Sequence, residues 1–592
     1  MAGWLSRALT RIAAQPPPPS VQPLPEAELR KAVESAKRTM TQGDFAAARA
    51  ALREVATSNP DNADALAHYG VAAYMVGDAA DARLALSRAV QIDPDHVIGH
   101  KYLAAAYNAL GDLQRLEIAA KNALRVAPRD RDILNMYGVA CMNRFEVEAA
   151  AASFAAAVEA APNDVAALLN LELLSMRSLR NRQSLERSPK IAVARSQAVN
   201  RLRALHRREQ LDDAGMRHLL MLLAGSKETF SAAVELARRV SERSEFSTEL
   251  ADQLSNILLL IGDLQALLRF RSMVVEQDSG LPMARSSLAY VRLIEGYGQW
   301  RESWRTMREE ERNANLGIFV REVPSWTGQR LGRKKILVYQ EQGFGDAILA
   351  MRMIPMAAKR DVRLDLWVQP PLASLASSVK GYENLIRCDT RPDPRSLGCD
   401  YASTLFGLIS ALPIDHQELI ASPTVLCPAA DRATAARARL RGLPGRRIGL
   451  AYAGNPDRRD DWFRAVPPSA LASLSRLEGI SWVNLVVDKR PDKAEVIKMF
   501  RMDDPMTEVA DFEDTAAIIS ELDAVIAIDS SVAHLSASLG KPVWVLVPPM
   551  LDWRWQIGDD TRPWWPNVTL LRSPSMGAWD SVIDQLGKQV RA

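Results

Sequence analysis

The sequence predicts an α-solenoid followed by an α/β unit with two Rossmann-like halves. Three observations carry this prediction. Pro60, Pro94, Pro128 and Pro162 recur every 34 residues, the mark of a stacked helical repeat. From Val165 to about Asn315 proline is nearly absent and apolar residues keep helical spacing. After Pro324, short branched apolar runs alternate with glycine-containing turns and helical stretches, the pattern of parallel-sheet units.

Length and composition bound the rest. A chain of 592 residues is too long for one hydrophobic core. Its 48% apolar and 24% charged residues exclude a disordered chain. With 74 basic against 71 acidic residues the net charge is +3, which argues against a dedicated nucleic-acid binder. Cys141, Cys388, Cys399 and Cys427 are scattered and lack Cys-x-x-Cys spacing. Neither a disulfide framework nor structural zinc is expected, and a reducing, cytoplasmic setting is. No apolar run reaches the roughly 18 residues of a membrane helix.

In residues 1–14, Trp4, Leu5, Leu9 and Ile12 accompany Arg7 and Arg11. They read as a short basic amphipathic helix touching a membrane or partner, or as a frayed terminal helix. The apolar stretch is too short for a secretory signal. Gln15–Ser20 holds four prolines and reads as a stiff linker closing a terminal segment, 1–28.

The array follows over 29–164, in frames 29–62, 63–96, 97–130 and 131–164. Gly43-Asp44, Gly77-Asp78 and Gly111-Asp112 hold one position of the period, with Phe145-Glu146 in the fourth. Leu66, Tyr69, Gly70, Ala82, Leu86 and Ala89 match Leu134, Tyr137, Gly138, Ala150, Phe154 and Ala157. This is the tetratricopeptide-repeat pattern: small residues let paired helices approach, large ones fill the gap, and proline ends each unit. The concave face of such a solenoid suits an extended peptide or partner helix, the alternative being a rigid spacer. Asn108, Asn135, Asn143 and Asn170 are candidate peptide-binding side chains.

Residues 165–320 are expected to continue as degenerate repeats, since Gly262-Asp263 and Gly298-Gln299-Trp300 echo the repeat turn. Arg177–Arg208 carries ten basic residues and one acid, Glu186; it fits an anionic surface or a solvated helical face.

In the α/β part, Ile336–Gln340 reads as a buried strand, Glu341–Asp346 as a Gly-rich turn, Ala347–Ala358 as a helix and Leu364–Val368 as the next strand. A second series contains Arg447–Tyr452, Trp482–Val487, Ala524–Ile528 and Pro542–Val547, with Asp529–His534 at a strand-to-helix junction. The halves are placed at 321–430 and 431–592. Ligands of such sheets sit beyond the carboxyl ends of the strands.

These residues resemble a known family. Pro324-Ser-Trp326-x-Gly328 with Glu341–Asp346, Tyr452–Pro456 with Arg464, and Asp529–His534 look like motifs of bacterial glycosyltransferases of the heptosyltransferase class. Asp552–Trp555 with Trp564–Pro566 resembles variants fused to tetratricopeptide repeats. The fusion is similar to the O-linked N-acetylglucosamine transferases, and most like the alphaproteobacterial flagellin glycosyltransferases. The resemblance implies a GT-B fold, with an acceptor-side first half and a nucleotide-sugar-binding second half. It implies inverting transfer of a sugar to Ser or Thr of a bacterial protein, flagellin above all, recruited by the repeats. Alternatives are transfer to a lipid-linked glycan and a non-catalytic scaffold. The scaffold reading is motivated by Asp488-Lys489 and the loop Asp457–Phe463, which depart from the family pattern.

Sugar transfer requires neutralised leaving-group charge, deprotonation of the acceptor and exclusion of water. At Asp529–His534, the amides of Ser531, Val532 and Ala533 and the hydroxyls of Ser530 and Ser531 would face an anion at a helix N-terminus. His534 would contact a phosphate or fix Asp529; the plainer reading makes Asp529 and Ser530 helix caps. Arg464 and Lys489 are the candidate cations, with Arg458 and Arg459 as rivals. Asp346 is the candidate base, in the role the resemblance implies for an Asp at this place, or an N-cap, or both. Gly343 and Gly345 would allow close approach of sugar or acceptor. Asp93-x-Asp95 and Asp130-x-Asp132 lie in the repeats, and no metal or tightly bound cofactor is expected. The donor nucleotide stays open among uridine, adenosine and cytidine; the link to flagellin modification implies a cytidine-linked nonulosonic acid such as pseudaminic acid as one choice. Trp553, Trp555, Trp564 and Trp565 would stack on a base or sugar, or lock the C-terminal helix across the cleft.

Overall fold

A computed structural model describes residues 23–143, 146–161, 167, 170, 199–200, 203, 212–224, 229–243, 246–277, 284–296, 300–313, 322–420, 426–456, 461–487, 490–555 and 564–591. The chain folds as two compact units, Met1–Arg207 and Arg208–Ala592. Residues 1–22, Pro162, Gly298-Gln299 and nearly all of Arg177–Arg208 lie outside the described residues.

The first unit is a helical array. Its described helices are α1 (Glu26–Thr41), α2 (Phe45–Ser58), α3 (Ala63–Met75), α4 (Ala79–Ile92), α5 (Val97–Ala109), α6 (Leu113–Val126), α7 (Arg131–Asn143) and α8 (Val147–Ala160). Gly43, Gly77 and Gly111 turn the chain at φ 88°, 89° and 68°, a region L side chains avoid. Each following Asp caps the next helix: Asp44, Asp78 and Asp112 accept from the amides of Ala47, Asp81 and Arg115. Glu146, in the fourth position, makes no side-chain cap. A Cβ on Gly70 would lie 2.5 Å from Leu86, and one on Gly138 would lie 2.5 Å from Phe154. Successive repeats are tied by Arg49 to Asp78 and Asp81, at 2.6 and 2.8 Å. Of the asparagines singled out above, Asn170 donates to Asn135 across 2.8 Å.

The second unit opens with α9 (Asp213–Ala224), α10 (Phe230–Ser241), α11 (Thr248–Ile261), α12 (Leu264–Gln277), α13 (Ala284–Glu295) and α14 (Trp300–Asn313). Within the stretch read as degenerate repeats, residues from 208 onward cluster with the α/β part. The turn chemistry does persist: Gly262 ends α11 at φ 83° and Asp263 caps α12 through Ala266. The difference lies in what the apolar faces cover. On α14, Trp304 stacks on Phe406 (centroids 5.5 Å apart, 8° between planes) and meets Trp553 edge-on at 4.9 Å, while Trp300 meets Trp564 at 5.3 Å. Such aromatic contacts bury large areas, so these helices form a layer of the α/β unit.

Two parallel sheets follow. The first runs β3-β2-β1-β4, from β1 (Ile336–Tyr339), β2 (Leu364–Trp367), β3 (Leu385–Ile386) and β4 (Tyr401–Thr404); α15 (Phe344–Ala350) follows β1 and α16 (Leu405–Ala411) follows β4. The second runs β6-β5-β7-β8-β9, from β5 (Arg446–Ala451), β6 (Ile480–Asn484), β7 (Ala524–Ile528), β8 (Val543–Val547) and β9 (Val568–Arg572). In it, α17 (Phe512–Ser520) precedes β7, α18 (Ser531–Ser538) follows it, and α19 (Asp580–Arg591) closes the chain. β1, β7 and β8 are buried along their whole length, as strands covered on both faces must be. Strand order reverses between β1 and β4 and between β5 and β7, and such switch points open a crevice at the carboxyl ends. No helix among the described residues is long and apolar enough to cross a membrane.

Candidate active site

A cavity of about 590 Å³ lies at the carboxyl ends of β1, β5 and β7. The first half contributes Gly343, Gly345 and Asp346; the second contributes Gly454, Arg464, Asp529, Ser530, Ser531 and His534. Two helix N-termini open onto it. The N-cap residues are Gly343 for α15 and Ser530 for α18, and neither side chain caps its helix. Ser530 Oγ donates backwards to Ile528 O at 3.1 Å. The first amides of α18 therefore lack the side-chain acceptor that usually occupies them, which suits an anion. Ser530 holds the N-cap position of α18 without a side-chain cap bond, whereas Asp346 is the third residue of α15, one turn past its cap, so the N-cap reading of Asp346 is corrected.

Asp346 faces an arginine that sequence reasoning did not single out. Arg554 donates to Asp346 Oδ1 through Nε at 2.9 Å and also through Nη2. Its Nη1 donates to both oxygens of Asp552, at 3.0 and 2.9 Å. Burial alone would lower the guanidinium's proton affinity; the carboxylates of Asp552 and Asp346 outweigh it and hold the pKa well above its usual value. Both Arg554 contacts with Asp346 fall on Oδ1, and neither engages Oδ2.

Across the cavity, Arg464 Nη1 donates to Asp529 O at 2.8 Å. A Cβ on Gly454 would displace the Arg464 guanidinium. Burial, and then the Asp552 charge, push the Asp529 carboxyl up to about 6. His534 is buried and receives the indole N–H of Trp565 on Nδ1 at 3.4 Å. That bond leaves the ring hydrogen on Nε2, 3.9 Å from Asp529 Oδ1. Burial, followed by the charges of Arg554 and Arg352, lowers its pKa to about 3. His534 is thus a neutral support beneath Asp529.

Gly345 lines the cavity and also sits where two helices meet. A Cβ there would lie 3.2 Å from His534 Cδ2 and 3.3 Å from Ser531 Cα, so the glycine lets α15 and α18 approach. At Gly343 the nearest atom to such a Cβ is Asp346 Oδ2, at 3.8 Å, and close ligand approach remains open. Lys489, Arg458 and Arg459 lie outside the described residues. The neighbouring Arg490 is fixed by Asp461 at 2.5 Å, Asp492 at 3.1 Å and Gly454 O at 3.0 Å.

The tryptophans are wall and not platform. Trp553, Trp555, Trp564 and Trp565 are buried. Trp553 and Trp564 pack on α14, Trp555 stacks on His534 at 5.1 Å, and Arg352 lies 3.8 Å over Trp565. They lock the α14 layer and the floor of the site, not the C-terminal helix. Among the described residues no cluster of His, Cys, Asp or Glu could hold a metal ion. Arg554 and Asp552 were visible in the sequence only as companions of tryptophans; a charged pair between buried aromatics was the available signal, because such a pair must find partners inside.

Comparison with known proteins bears on the two units differently. A tetratricopeptide-repeat model matches residues 34–97 and 103–165. Protein FlbA of Caulobacter vibrioides is 23% identical over 390 residues, covering 62% of this chain and 64% of FlbA, so the match spans less than two thirds of that relative. Similar solved structures include MamA from Desulfovibrio magneticus RS-1, with 17% identity and TM-score 0.26 over 28% of this chain and 94% of MamA. They also include E. coli ADP-heptose lps heptosyltransferase II, with 14% identity and TM-score 0.33 over 44% of this chain and 100% of that one.

Proposed function

We propose that the chain is an inverting glycosyltransferase that moves a sugar from a nucleotide donor to a Ser or Thr hydroxyl of a protein held by the repeats. The observation that carries this reading is the facing pair in the cavity: a carboxylate with one unengaged oxygen, Asp346 Oδ2, opposite an uncapped helix N-terminus flanked by Arg464. The acceptor hydroxyl gives its proton to Asp346 Oδ2 while its oxygen bonds to the anomeric carbon. The bond from that carbon to the donor phosphate breaks, and the electron pair leaves with the phosphate. The new charge meets the amides at the start of α18 and the Arg464 guanidinium. A single displacement inverts the anomeric centre.

The repeats supply the acceptor as an extended segment, and flagellin is the acceptor the sequence resemblance implies. The test is direct: incubate the full chain with flagellin and uridine-, adenosine- and cytidine-linked sugars, and read intact protein mass. One donor should add its sugar mass, and Asp346→Ala should abolish the addition while leaving the melting temperature within a few degrees. Full modification by a folded Asp346→Ala chain would exclude Asp346 as base. Sugar appearing on a lipid-linked glycan and not on protein would move the proposal to that acceptor.

A further inference from the structure

We infer that helices α11 and α13 complete the active site, with Tyr290 acting as a positioning residue for the base through Asp552 and Arg554. The inference rests on the transferase reading above and concerns a part of the chain that the reading did not use.

The loop that carries Asp552 and Arg554 is held by helices, not by the sheet alone. Leu551 N donates to Leu259 O, near the end of α11, at 2.9 Å. Gly262, the residue that ends α11, lies so close to the loop that a Cβ there would stand 2.6 Å from Pro549 O. On α13, Tyr290 directs its hydroxyl to Asp552 Oδ2 at 3.3 Å. Burial, and then the neighbouring Asp552 charge, raise the phenol's pKa well above its usual value, so it stays a donor at any working pH.

From Asp552 the chain of contacts has no gap. Asp552 Oδ1 accepts from the Arg554 backbone N at 2.8 Å, and both its oxygens accept from Nη1. Arg554 also lies 4.5 Å over the Trp553 ring. With Nη1 committed to Asp552, the remaining edge of the guanidinium meets Asp346 Oδ1. A planar fork fixed on one side presents its other side in one orientation. Tyr290 therefore sets where Asp552 stands, Asp552 sets the plane of Arg554, and Arg554 sets which oxygen of Asp346 is free. Because Arg554 is engaged by two carboxylates, it orients the base instead of binding the donor.

The experiment is steady-state kinetics of the full chain with the donor found by the mass assay, comparing wild type, Tyr290→Phe, Asp552→Asn, their double variant and Asp346→Asn. Tyr290→Phe removes one hydroxyl. It should lower kcat about tenfold, as a misplaced catalytic group does, with donor KM and melting temperature unchanged. In the Asp552→Asn background the same substitution should have no further effect, because the two act in series. A Tyr290→Phe chain with wild-type kcat beside an inactive Asp346→Asn overturns the relay alone. Additive losses in the double variant also overturn it. Wild-type rates for both Asp346→Asn and Tyr290→Phe, or no turnover of any donor by the wild type, reject the base and transferase readings and the relay with them.

Discussion

Arg308 and Glu341 face each other at 3.5 Å with side chains only 2% and 1% exposed. Arg308 belongs to α14, and Glu341 opens the turn after β1. Glu341 also accepts the amides of Leu405 and Phe406 at the start of α16, at 3.2 Å each. Burial raises its pKa, and the Arg308 charge opposes that rise. Replacing Arg308 by Met should leave Glu341, and Glu311 which Arg308 meets at 3.0 Å, without their cation and destabilise the second unit by about 3–5 kcal/mol. Adding Glu341→Gln should recover part of the loss, since Gln still accepts one amide while Glu311 stays without its cation. Urea unfolding of the three chains measures this; a single variant as stable as wild type would show the pair to be idle.

Gly345 is the second test of interlocking. Gly345→Ala would push a methyl group to 3.2–3.4 Å from His534 and Ser531. Neither is the free end of a flexible chain, so α15 and α18 must part slightly. The expected cost is about 1–3 kcal/mol, with a larger proportional loss of transfer, because the shift separates Asp346 from the α18 N-terminus. Melting temperature and initial rate together check it, and an active, equally stable variant would remove the packing role.

How much of this was legible in the sequence follows from what each signal reports. The array was legible because its signal is repeated: the Gly-Asp turns and the Gly70–Leu86 and Gly138–Phe154 contacts recur. The buried strands β1, β7 and β8 stood out as continuous apolar runs. β3 has two residues, and β9 is an edge strand that exposes Thr569, so neither leaves such a run. Asp346, Arg464 and the Asp529–Ser531 junction sit next to recognisable strands and could be placed from them. Arg554 and Tyr290 could not, since their partners lie 208 and 262 residues away. The same reason hides the second role of α9–α14: their turns look like repeat turns, and only the tertiary partner reveals the layer.

His534 makes the stability of the fold depend on pH. Its folded pKa is depressed from 6.5 to about 3. It contributes stability that is present above pH 6.5 and lost as the pH falls toward 3. Asp529 acts oppositely: raised from 3.8 to about 6, it contributes stability below pH 3.8 that is lost as the pH rises through 6. The two slopes partly cancel between about pH 4 and 6, so the wild-type profile alone would mislead. The stability difference between wild type and His534→Gln should grow with pH from 3 to 6.5, by up to about 1.4 kcal/mol per pH unit, and then level off. A difference independent of pH would mean that His534 titrates alike in the folded and unfolded chain.

The division of the chain predicts which truncations survive. Every residue lining the cavity lies between Gly343 and Arg554, inside the unit Arg208–Ala592. A chain of residues 208–592 should fold, unfold cooperatively and bind donor nucleotide as the full chain does, while losing modification of a protein acceptor. A chain of residues 321–592 should fail, although it retains both sheets. It lacks Trp300 and Trp304, which cover Phe406, Trp553 and Trp564, and it lacks Arg308 and Tyr290. Removing that cover would expose an aromatic patch of several hundred Å², take Arg308 from Glu341 and take the Tyr290 hydroxyl from Asp552. Size-exclusion chromatography and nucleotide-induced thermal shift on both fragments decide the point. A monomeric, cooperative 321–592 chain that binds nucleotide would show that α9–α14 are an accessory to the site and not a layer of it.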